Sequence, residues 1–261
     1  MILTLSFIAL FPDVLSPYDP GIRGPSVSHF NPPSIRHLLG TDDAGKDVLS
    51  MLIHGTRISL LIGFVAAIVA VGLGTFVGIL SGFYGGIKGE ILMRITDIIL
   101  VLHTIPLLIV LAATLSPSIW NVALAIGVTG WTQTARIVRS QTLSLKEKKY
   151  VYRARTVGCL DLRILRRYIL PGVLPLISAQ LILSIDIAIT AEAFLSFLGL
   201  GDLAQISWGS ILFFAFSFGA FSIGAYWYFL PPGIMIVITI LAFTAIGQGL
   251  DKIINPKLRE Y

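Results

Sequence analysis

Long blocks of apolar residues alternate with short polar stretches, and this pattern predicts an all-α integral membrane protein. A helix needs about 20 apolar residues to cross a ~30 Å bilayer core, because unpaired backbone groups cannot stay in hydrocarbon. Five blocks reach or approach this length. We therefore predict transmembrane spans at about residues 59–83, 91–115, 119–139, 172–198 and 226–247.

Two further apolar blocks do not fit this simple count. Ile2–Leu10 is too short to cross a bilayer, so we expect residues 1–15 to be a truncated or reduced first transmembrane helix, the sixth span. A misplaced gene start and a true reduction both stay open as explanations. Residues 206–225 are apolar and aromatic, but counting them as a span would place Lys257 and Arg259 outside. We expect an outer-face or re-entrant element there.

The basic residues orient the predicted spans. Ten of the nineteen Lys and Arg residues lie between Arg136 and Arg167, and others lie at the C-terminus. Because positively charged loops stay in the cytoplasm, we predict that loop 140–171 and the C-terminus are cytoplasmic. Residues 16–58, which begin with a Pro- and Gly-rich stretch, are then extracytoplasmic.

Composition excludes several other classes of protein. Hydrophobic residues make up 55% of the 261 positions and charged residues only 13%, against roughly 25% charged in soluble domains. The net charge of +5 is concentrated in one loop, so it indicates topology rather than nucleic-acid binding. The single cysteine, Cys159, cannot form an intrachain disulfide, and the four histidines lack metal-binding spacing. No nucleophile and base pattern predicts an enzyme.

The segment from Gly40 to Asp47 nearly matches a phosphate-binding loop, but its chemistry is wrong. The last position must offer a hydroxyl to Mg²⁺, and this chain has Asp47 there. Asp42 and Asp43 would add negative charge where phosphates bind. We therefore expect no nucleotide site in this segment.

Small and helix-breaking residues give packing predictions inside the spans. Gly74, Gly78 and Gly82 recur every four residues, so they share a helix face that a neighbouring helix can approach closely. Pro106 and the pair Pro231-Pro232 lie inside apolar blocks, and each should kink its helix.

Four charged residues lie within predicted spans, where an unpaired charge is costly. Arg94 and Asp97 are three residues apart and can pair on one helix face. Asp186 and Glu192 are six residues apart, so they lie on different faces of one helix. A helix–helix contact or wetted path explains them, and a proton or ion pathway stays open.

The inner loop contains a short amphipathic pattern. Val151, Ala154 and Val157 fall at helical spacing among basic residues, and Gly158 follows them. This predicts a short helix at the membrane surface that ends at Gly158. A helix held by anionic lipid headgroups is the alternative reading.

Four motifs, in order, resemble those of the C-type permease subunit of the dipeptide/oligopeptide/nickel ABC importers. The first runs from His37 to Ser50 and includes six family positions. The second joins Gly82–Gly86 to Arg94 and Asp97, the third is the inner-loop signature, and the fourth is Ala191–Gly201 with Glu192. The six positions of the outer motif are Gly40, Thr41, Asp42, Gly45, Lys46 and Asp47.

The resemblance implies a type I ABC importer permease fold in a prokaryotic plasma membrane. It implies as partners a B-type permease, two cytoplasmic ATP-binding subunits and an extracellular solute-binding protein that docks near Ser34–Ser59. This chain would hold no cofactor, and ATP and magnesium would bind the ATPases. The implied ATPase-coupling residues are Tyr150, Val151, Tyr152, Arg153, Ala154, Arg155, Gly158, Leu170 and Pro171.

The inner-loop signature departs from the family pattern. Tyr152 and Arg153 stand where the family has Glu and Ala, so the usual acidic contact to the ATPase is missing. An ion-coupled secondary transporter or channel without an ATPase is the alternative function. That class should show ionisable relays and often inverted repeats, and we find no convincing repeat.

Overall fold

The structure is a computed structural model that describes residues 2–21 and 29–254. Within those residues the regular structure is helical, apart from one isolated bridge between Thr41 and Asp47. The helices are α1 (Ile2–Leu10), α2 (Pro12–Leu15), α3 (Val48–Tyr84), α4 (Gly86–Val101), α5 (Thr104–Thr114), α6 (Ile119–Lys146), α7 (Lys149–Thr156), α8 (Asp161–Ile164), a π-helical turn (Leu165–Ile169), α9 (Leu170–Phe197), α10 (Trp208–Ser217) and α11 (Tyr226–Ile254).

Within the described residues, three helical stretches are long and apolar enough to cross a membrane: Val48–Tyr84, Asp161–Phe197 and Tyr226–Gly249. The pair α4 and α5 passes the same test together and supplies a fourth span if the pair is one broken span. The predicted third span, 119–139, is a helix but contains Gln133, Arg136 and Arg139, and it is not among these. The prediction of six spans therefore exceeds what helix length and composition support.

The predicted second span, 91–115, is two helices rather than one. Helix α4 ends at Val101, α5 begins at Thr104, and the two are bent by 89°. Pro106 explains the position of the break, because its ring clashes with the carbonyl four residues earlier, at Leu102. Leu102 accordingly leaves the helical region, with φ −69° and ψ 125°. By contrast, Pro231 and Pro232 leave α11 as one uninterrupted helix.

Two predicted boundaries shift because helices extend into predicted loops. Helix α3 begins at Val48, within the segment predicted to be extracytoplasmic, since Asp47 accepts hydrogen bonds from the Ser50 backbone N–H and hydroxyl, both at 2.8 Å. Loop 140–171 is largely helical, because α6 continues to Lys146 and helical turns resume at Asp161.

The predicted glycine face of α3 packs directly against α6. A methyl group on Gly74 would lie 2.6 Å from the Trp131 carbonyl oxygen, and one on Gly78 would lie 2.7 Å from the Ala135 carbonyl oxygen. One on Gly82 would lie 2.8 Å from Thr142 Cβ. The three glycines are therefore required for the close approach of these two helices, and this prediction is confirmed.

The chain divides into two compact units, and each has its own core. One unit comprises the described parts of 1–64, 109–123 and 186–243. Its core packs the start of α3 against α10 and α11 around Val48, Ile211 and Tyr228. The other comprises the described parts of 65–108, 124–185 and 244–261, and its core surrounds Phe83 and Val151.

The apolar stretch 206–225 forms α10 and a following series of turns. Ser207 and Ser210 form a reciprocal capping box that starts α10. Ten helical residues are too few to cross a bilayer. Two residues on which the predicted orientation depends, Lys257 and Arg259, lie outside the described residues.

Candidate functional site

The amphipathic helix predicted in the inner loop is α7. Its buried face consists of Val151 and Ala154, while Tyr152 is 71% exposed. Val157 was predicted to share the buried face, and this is wrong, because α7 ends at Thr156 and Val157 is 84% exposed. Tyr150, Arg153 and Arg155 are also exposed, so α7 presents an aromatic and basic surface.

Gly158 ends α7 through its backbone conformation. Its φ is +81°, in the left-handed region that costs other L-residues about 1–2 kcal/mol. The Gly158 N–H donates to the Arg155 carbonyl at 2.9 Å, and the Cys159 N–H donates to the Ala154 carbonyl at 3.0 Å. These two bonds form a Schellman motif, which fixes the direction in which the chain leaves α7.

The buried face of α7 contacts the ends of three longer helices. Val151 and Ala154 belong to one apolar cluster with Phe83 at the end of α3, Leu145 at the end of α6, and Val173 at the start of α9. The Arg155 guanidinium lies 5.1 Å from the centre of the Phe83 ring, within cation–π range. The buried face of α7 is therefore packed in one cluster with these three helix ends.

A π-helical turn connects the α7 region to α9. The Leu170 N–H donates to the Leu165 carbonyl, a bond across five residues. Pro171 follows immediately, and its ring would clash with the Arg167 carbonyl in a regular α-helix. The family positions Leu170 and Pro171 therefore lie at the junction between the loop and α9 rather than on the exposed face of α7.

The outer motif folds as a compact loop before α3. Gly40 has φ +67°, and a methyl group there would lie 2.5 Å from the Asn31 carbonyl oxygen. The Trp227 indole N–H donates to the Thr41 carbonyl at 3.3 Å, and the Tyr228 hydroxyl donates to the Asp43 carboxylate at 3.1 Å. The motif is thus held against the start of α11.

Carboxylates organise this loop from within. Asp42 accepts hydrogen bonds from the N–H groups of Ala44 at 2.9 Å and Lys46 at 2.6 Å. A phosphate loop would direct such N–H groups towards its ligand. Gly45 has φ +80° and lets the loop turn back. Asp47, which caps α3, also contacts His37 Nδ1 at 2.9 Å.

Asp42 is nearly fully buried, and its burial raises the pKa of the carboxyl above its ordinary value. The two backbone hydrogen bonds oppose this shift, and the neighbouring Asp43 adds to it. Asp42, Asp43 and Lys46 line a cavity of about 390 Å³, together with part of the 203–218 region. The motif therefore presents both acidic and basic groups beside an apolar wall.

Glu192 lies at a buried junction of α3, α9 and α10. It accepts hydrogen bonds from the hydroxyls of Ser196 at 2.8 Å and Ser59 at 3.3 Å. Ser59 in turn accepts the Trp208 backbone N–H at 3.1 Å. A methyl group on Gly209 would lie 2.7 Å from the Ala193 carbonyl oxygen, so α9 and α10 are in close contact here. Glu192 is thus a helix–helix contact.

The other intramembrane charges are arranged differently from the prediction. Asp97 pairs with Arg136 of α6 at 2.6 Å, so its predicted pairing with Arg94 is wrong. The reason is that the packing of α6 beside α4 brings Arg136, which is 39 residues away in sequence, to the Asp97 carboxylate. Sequence spacing within α4 could not reveal this contact. Asp186 is half-buried on α9, six residues before the junction at Glu192.

Residues 74–260 match the family described as "Binding-protein-dependent transport system inner membrane component". This chain belongs to that family. Among relatives of this permease, the oligopeptide transport system permease protein OppC of Bacillus subtilis (strain 168) is 36% identical over 262 residues. That match covers 100% of this chain and 84% of the relative. The dipeptide transport system permease protein DppC of Haemophilus influenzae is 34% identical, covering 99% and 89%.

A solved structure of the inward-facing MetNI methionine ABC transporter shares the fold of this permease. The TM-score is 0.62, the identity is 18%, and the match covers 78% of this chain and 96% of the other. At this identity the likeness establishes the fold alone. The family match and the peptide permease relatives show that this protein is the permease subunit of an ATP-binding-cassette importer.

Several residues of the permease that were not predicted as site residues complete these sites. Phe83 and Tyr168 pack beside α7, with the Tyr150 and Tyr168 ring centres 5.7 Å apart. Ser59 and Ser196 bind Glu192. Only Ser196 carried a sequence signal, because a residue four positions after Glu192 lies on the same helix face. The others are brought together by tertiary packing.

Proposed function

We propose that this permease transports peptides. The observation that carries the proposal is the 36% identity to OppC along the whole chain, with similar identity to dipeptide permeases. The chain itself provides half of the transmembrane pathway. It has no catalytic role, and separate subunits supply the energy of transport.

The proposed assembly contains this chain, a second permease of the B type, two cytoplasmic ATP-binding subunits and an extracellular solute-binding protein. The loop around α7 and the C-terminus lie in the cytoplasm. The basic residues of this loop support that orientation, since positively charged loops are retained inside. ATP and magnesium bind the ATPase subunits.

Helix α7 is the proposed contact with an ATPase. Its exposed Tyr152 and Arg153 face outwards, and its buried Val151 and Ala154 are packed against the ends of α3, α6 and α9. ATP-driven closure of the ATPases would move α7, and the packed cluster would move the helix ends with it. Arg153 and Arg155 supply polar contacts in place of the family's glutamate. Such coupling requires that the free energy of the contact between α7 and the ATPase differs between the two conformations of the permease.

The outer motif is the proposed docking site for the solute-binding protein. Ile35 and Leu38 precede the motif and are highly exposed, whereas Gly40 and Asp47 hold the loop in one conformation. An exposed apolar pair on a fixed loop is typical of a protein-binding surface.

The experiment is transport of a radiolabelled peptide by the complete complex in proteoliposomes. Ala154→Asp places a charge in the buried cluster, and Gly158→Pro removes both the left-handed conformation and an N–H donor. We expect each variant to lose peptide transport and peptide-stimulated ATP hydrolysis together, while the basal ATPase activity of the bound subunits remains.

A matched control is Ser144→Asp, which adds the same charge to an exposed position on α6. This control should transport peptide at the unmodified rate. Unchanged coupling in both α7 variants would refute the proposed role of α7. Uptake driven by an ion gradient with no ATPase present would refute the importer itself.

A further inference from the structure

An open groove lies beside α7 and carries three arginines that the proposed coupling does not use. Its volume is about 530 Å³, and it is lined by Leu160, Leu162, Arg163, Arg166 and Arg167. The leucines are 72% and 65% exposed. Among the described residues, none of the three arginines lies within ion-pair distance of a carboxylate. Asp161 is the one acidic residue in the stretch from Leu160 to Tyr168.

The π-helical turn places the arginines together. Ile164 and Ile169 are five residues apart, and both are fully buried in the apolar cluster. In a regular α-helix five residues turn about 500°, which would place the two side chains about 140° apart and on different faces. The wider π turn brings both isoleucines to the core. Arg163, Arg166 and Arg167 are then all exposed on the other side. The π turn thus makes this segment amphipathic, with its apolar side chains in the core and its arginines on the surface.

The groove lies at the level of the lipid headgroups if α9 crosses the membrane. The helix from Val173 to Phe197 rises roughly 36 Å, enough for a ~30 Å hydrocarbon core. Arg167 precedes Val173 by about 9 Å along the axis. Arginine side chains are long enough to reach from this position back to the phosphate level. The exposed leucines would then lie beside acyl chains.

We propose that this groove is a binding site for an anionic phospholipid. Arg163, Arg166 and Arg167 would bind the headgroup phosphate, and Leu160 and Leu162 would contact the first methylene groups of the acyl chains. Three clustered arginines without carboxylate partners attract an anion electrostatically, and the apolar edge favours a lipid over a free anion. The proposed orientation of the permease decides only which leaflet supplies the lipid. The site itself does not depend on it, because headgroups border both faces of a bilayer.

The test is photolabelling of the complete complex in nanodiscs. A diazirine derivative of phosphatidylglycerol and one of phosphatidylcholine are compared, and mass spectrometry measures labelling of peptides from the 157–170 region. We expect labelling by the phosphatidylglycerol probe to exceed that by the phosphatidylcholine probe. Each Arg→Gln change should reduce this preference about fivefold, from the attraction of one arginine to an anionic surface. The matched control Lys88→Gln, an exposed cation elsewhere in the same unit, should keep the preference.

Two further arms distinguish other occupants. The triple Arg→Lys variant keeps the charge and should keep most of the preference, which separates loss of binding from misfolding. Excess inorganic phosphate should compete weakly. Equal labelling by the two probes, or full competition by phosphate, would overturn the lipid site. A benzophenone amino acid at Leu162 that cross-links to an ATPase subunit instead of lipid would also overturn the lipid site. That result would not contradict the proposal that the permease transports peptides.

Discussion

Replacement of Gly78 by alanine tests the packing between α3 and α6. The added methyl group would lie 2.7 Å from the Ala135 carbonyl oxygen and 2.8 Å from Val138 Cβ. A backbone oxygen cannot rotate away as a flexible side chain can, so the two helices must separate by several tenths of an ångström. Extra methyl groups in a packed interface cost about 1–3 kcal/mol.

Part of that cost is offset within α3 itself. Alanine is favoured over glycine inside a helix by roughly 0.5–1 kcal/mol. Because the clash is with a backbone oxygen, the upper part of the packing cost applies, about 2–3 kcal/mol, and the net effect of Gly78→Ala is a loss of about 1–2.5 kcal/mol in the free energy of unfolding. Gly72 provides the matched control, because it lies in the same helix and a methyl group there meets nothing within 4 Å. Gly72→Ala should stabilise the protein by roughly 0.5–1 kcal/mol.

The assay is thermal unfolding of the purified complex, followed by loss of the monodisperse species. The expected changes are a decrease of about 2–10 °C for Gly78→Ala and a small increase for Gly72→Ala. Gly74→Ala should resemble Gly78→Ala, since its methyl group would meet the Trp131 carbonyl oxygen at 2.6 Å. Equal melting temperatures for the Gly72 and Gly78 variants would refute the close helix contact.

Three other predictions concern polar and conformational sites. The pKa of the Asp42 carboxyl is raised in the folded protein. The stability that Asp42 contributes should therefore be full below the ordinary pKa of an aspartic acid, and it should fall as the pH rises through the raised pKa. Asp42→Asn keeps an acceptor for the two N–H groups and should flatten this pH dependence, measured by unfolding from pH 4 to 8. Asp42→Ala removes the acceptor and should lower the free energy of unfolding by about 1–3 kcal/mol. Glu192→Ala should cost about 2–5 kcal/mol in unfolding, against roughly 1 kcal/mol for Ser196→Ala, because it also opens a cavity. Gly158→Ala should lower stability by about 1–2 kcal/mol and reduce peptide-stimulated ATP hydrolysis, and Gly158→Asn should do so less.

Each of these has an outcome that contradicts it. A pH profile of Asp42→Asn that matches the unmodified protein would show that Asp42 does not titrate in that range. Equal costs for Glu192→Ala and Ser196→Ala would mean that the buried junction is not centred on the glutamate. A Gly158→Ala variant with full stability would contradict the left-handed conformation at that residue.

The helix ends and contact faces that depend on local chemistry were predictable from the sequence. The spacing of Gly74, Gly78 and Gly82 is itself the packing face, so the prediction followed from periodicity. The end of α7 was predictable because Gly158 suits the left-handed position of a Schellman motif. Pro106 predicted a bend, although the actual break lies four residues earlier, where its ring would clash.

Features that depend on which helices become neighbours were not predictable. Asp97 had Arg94 as a local partner, and only the fold brings Arg136 within 2.6 Å. Val157 matched helical periodicity, but a pattern of three residues cannot show that the helix stops one residue before it. The buried set around Glu192 joins Ser59 and Trp208 across a separation of 149 residues, which no local pattern encodes.

The contact between α7 and an ATPase can be measured directly by site-specific cross-linking in the complete complex. A benzophenone amino acid would replace Tyr152, which is exposed on α7, or Ile35, which is fully exposed before the outer motif. We predict that position 152 cross-links to an ATP-binding subunit and position 35 to the solute-binding protein. Cross-linking of position 152 to the solute-binding protein, or of position 35 to an ATPase, would contradict the proposed orientation and the coupling role of α7.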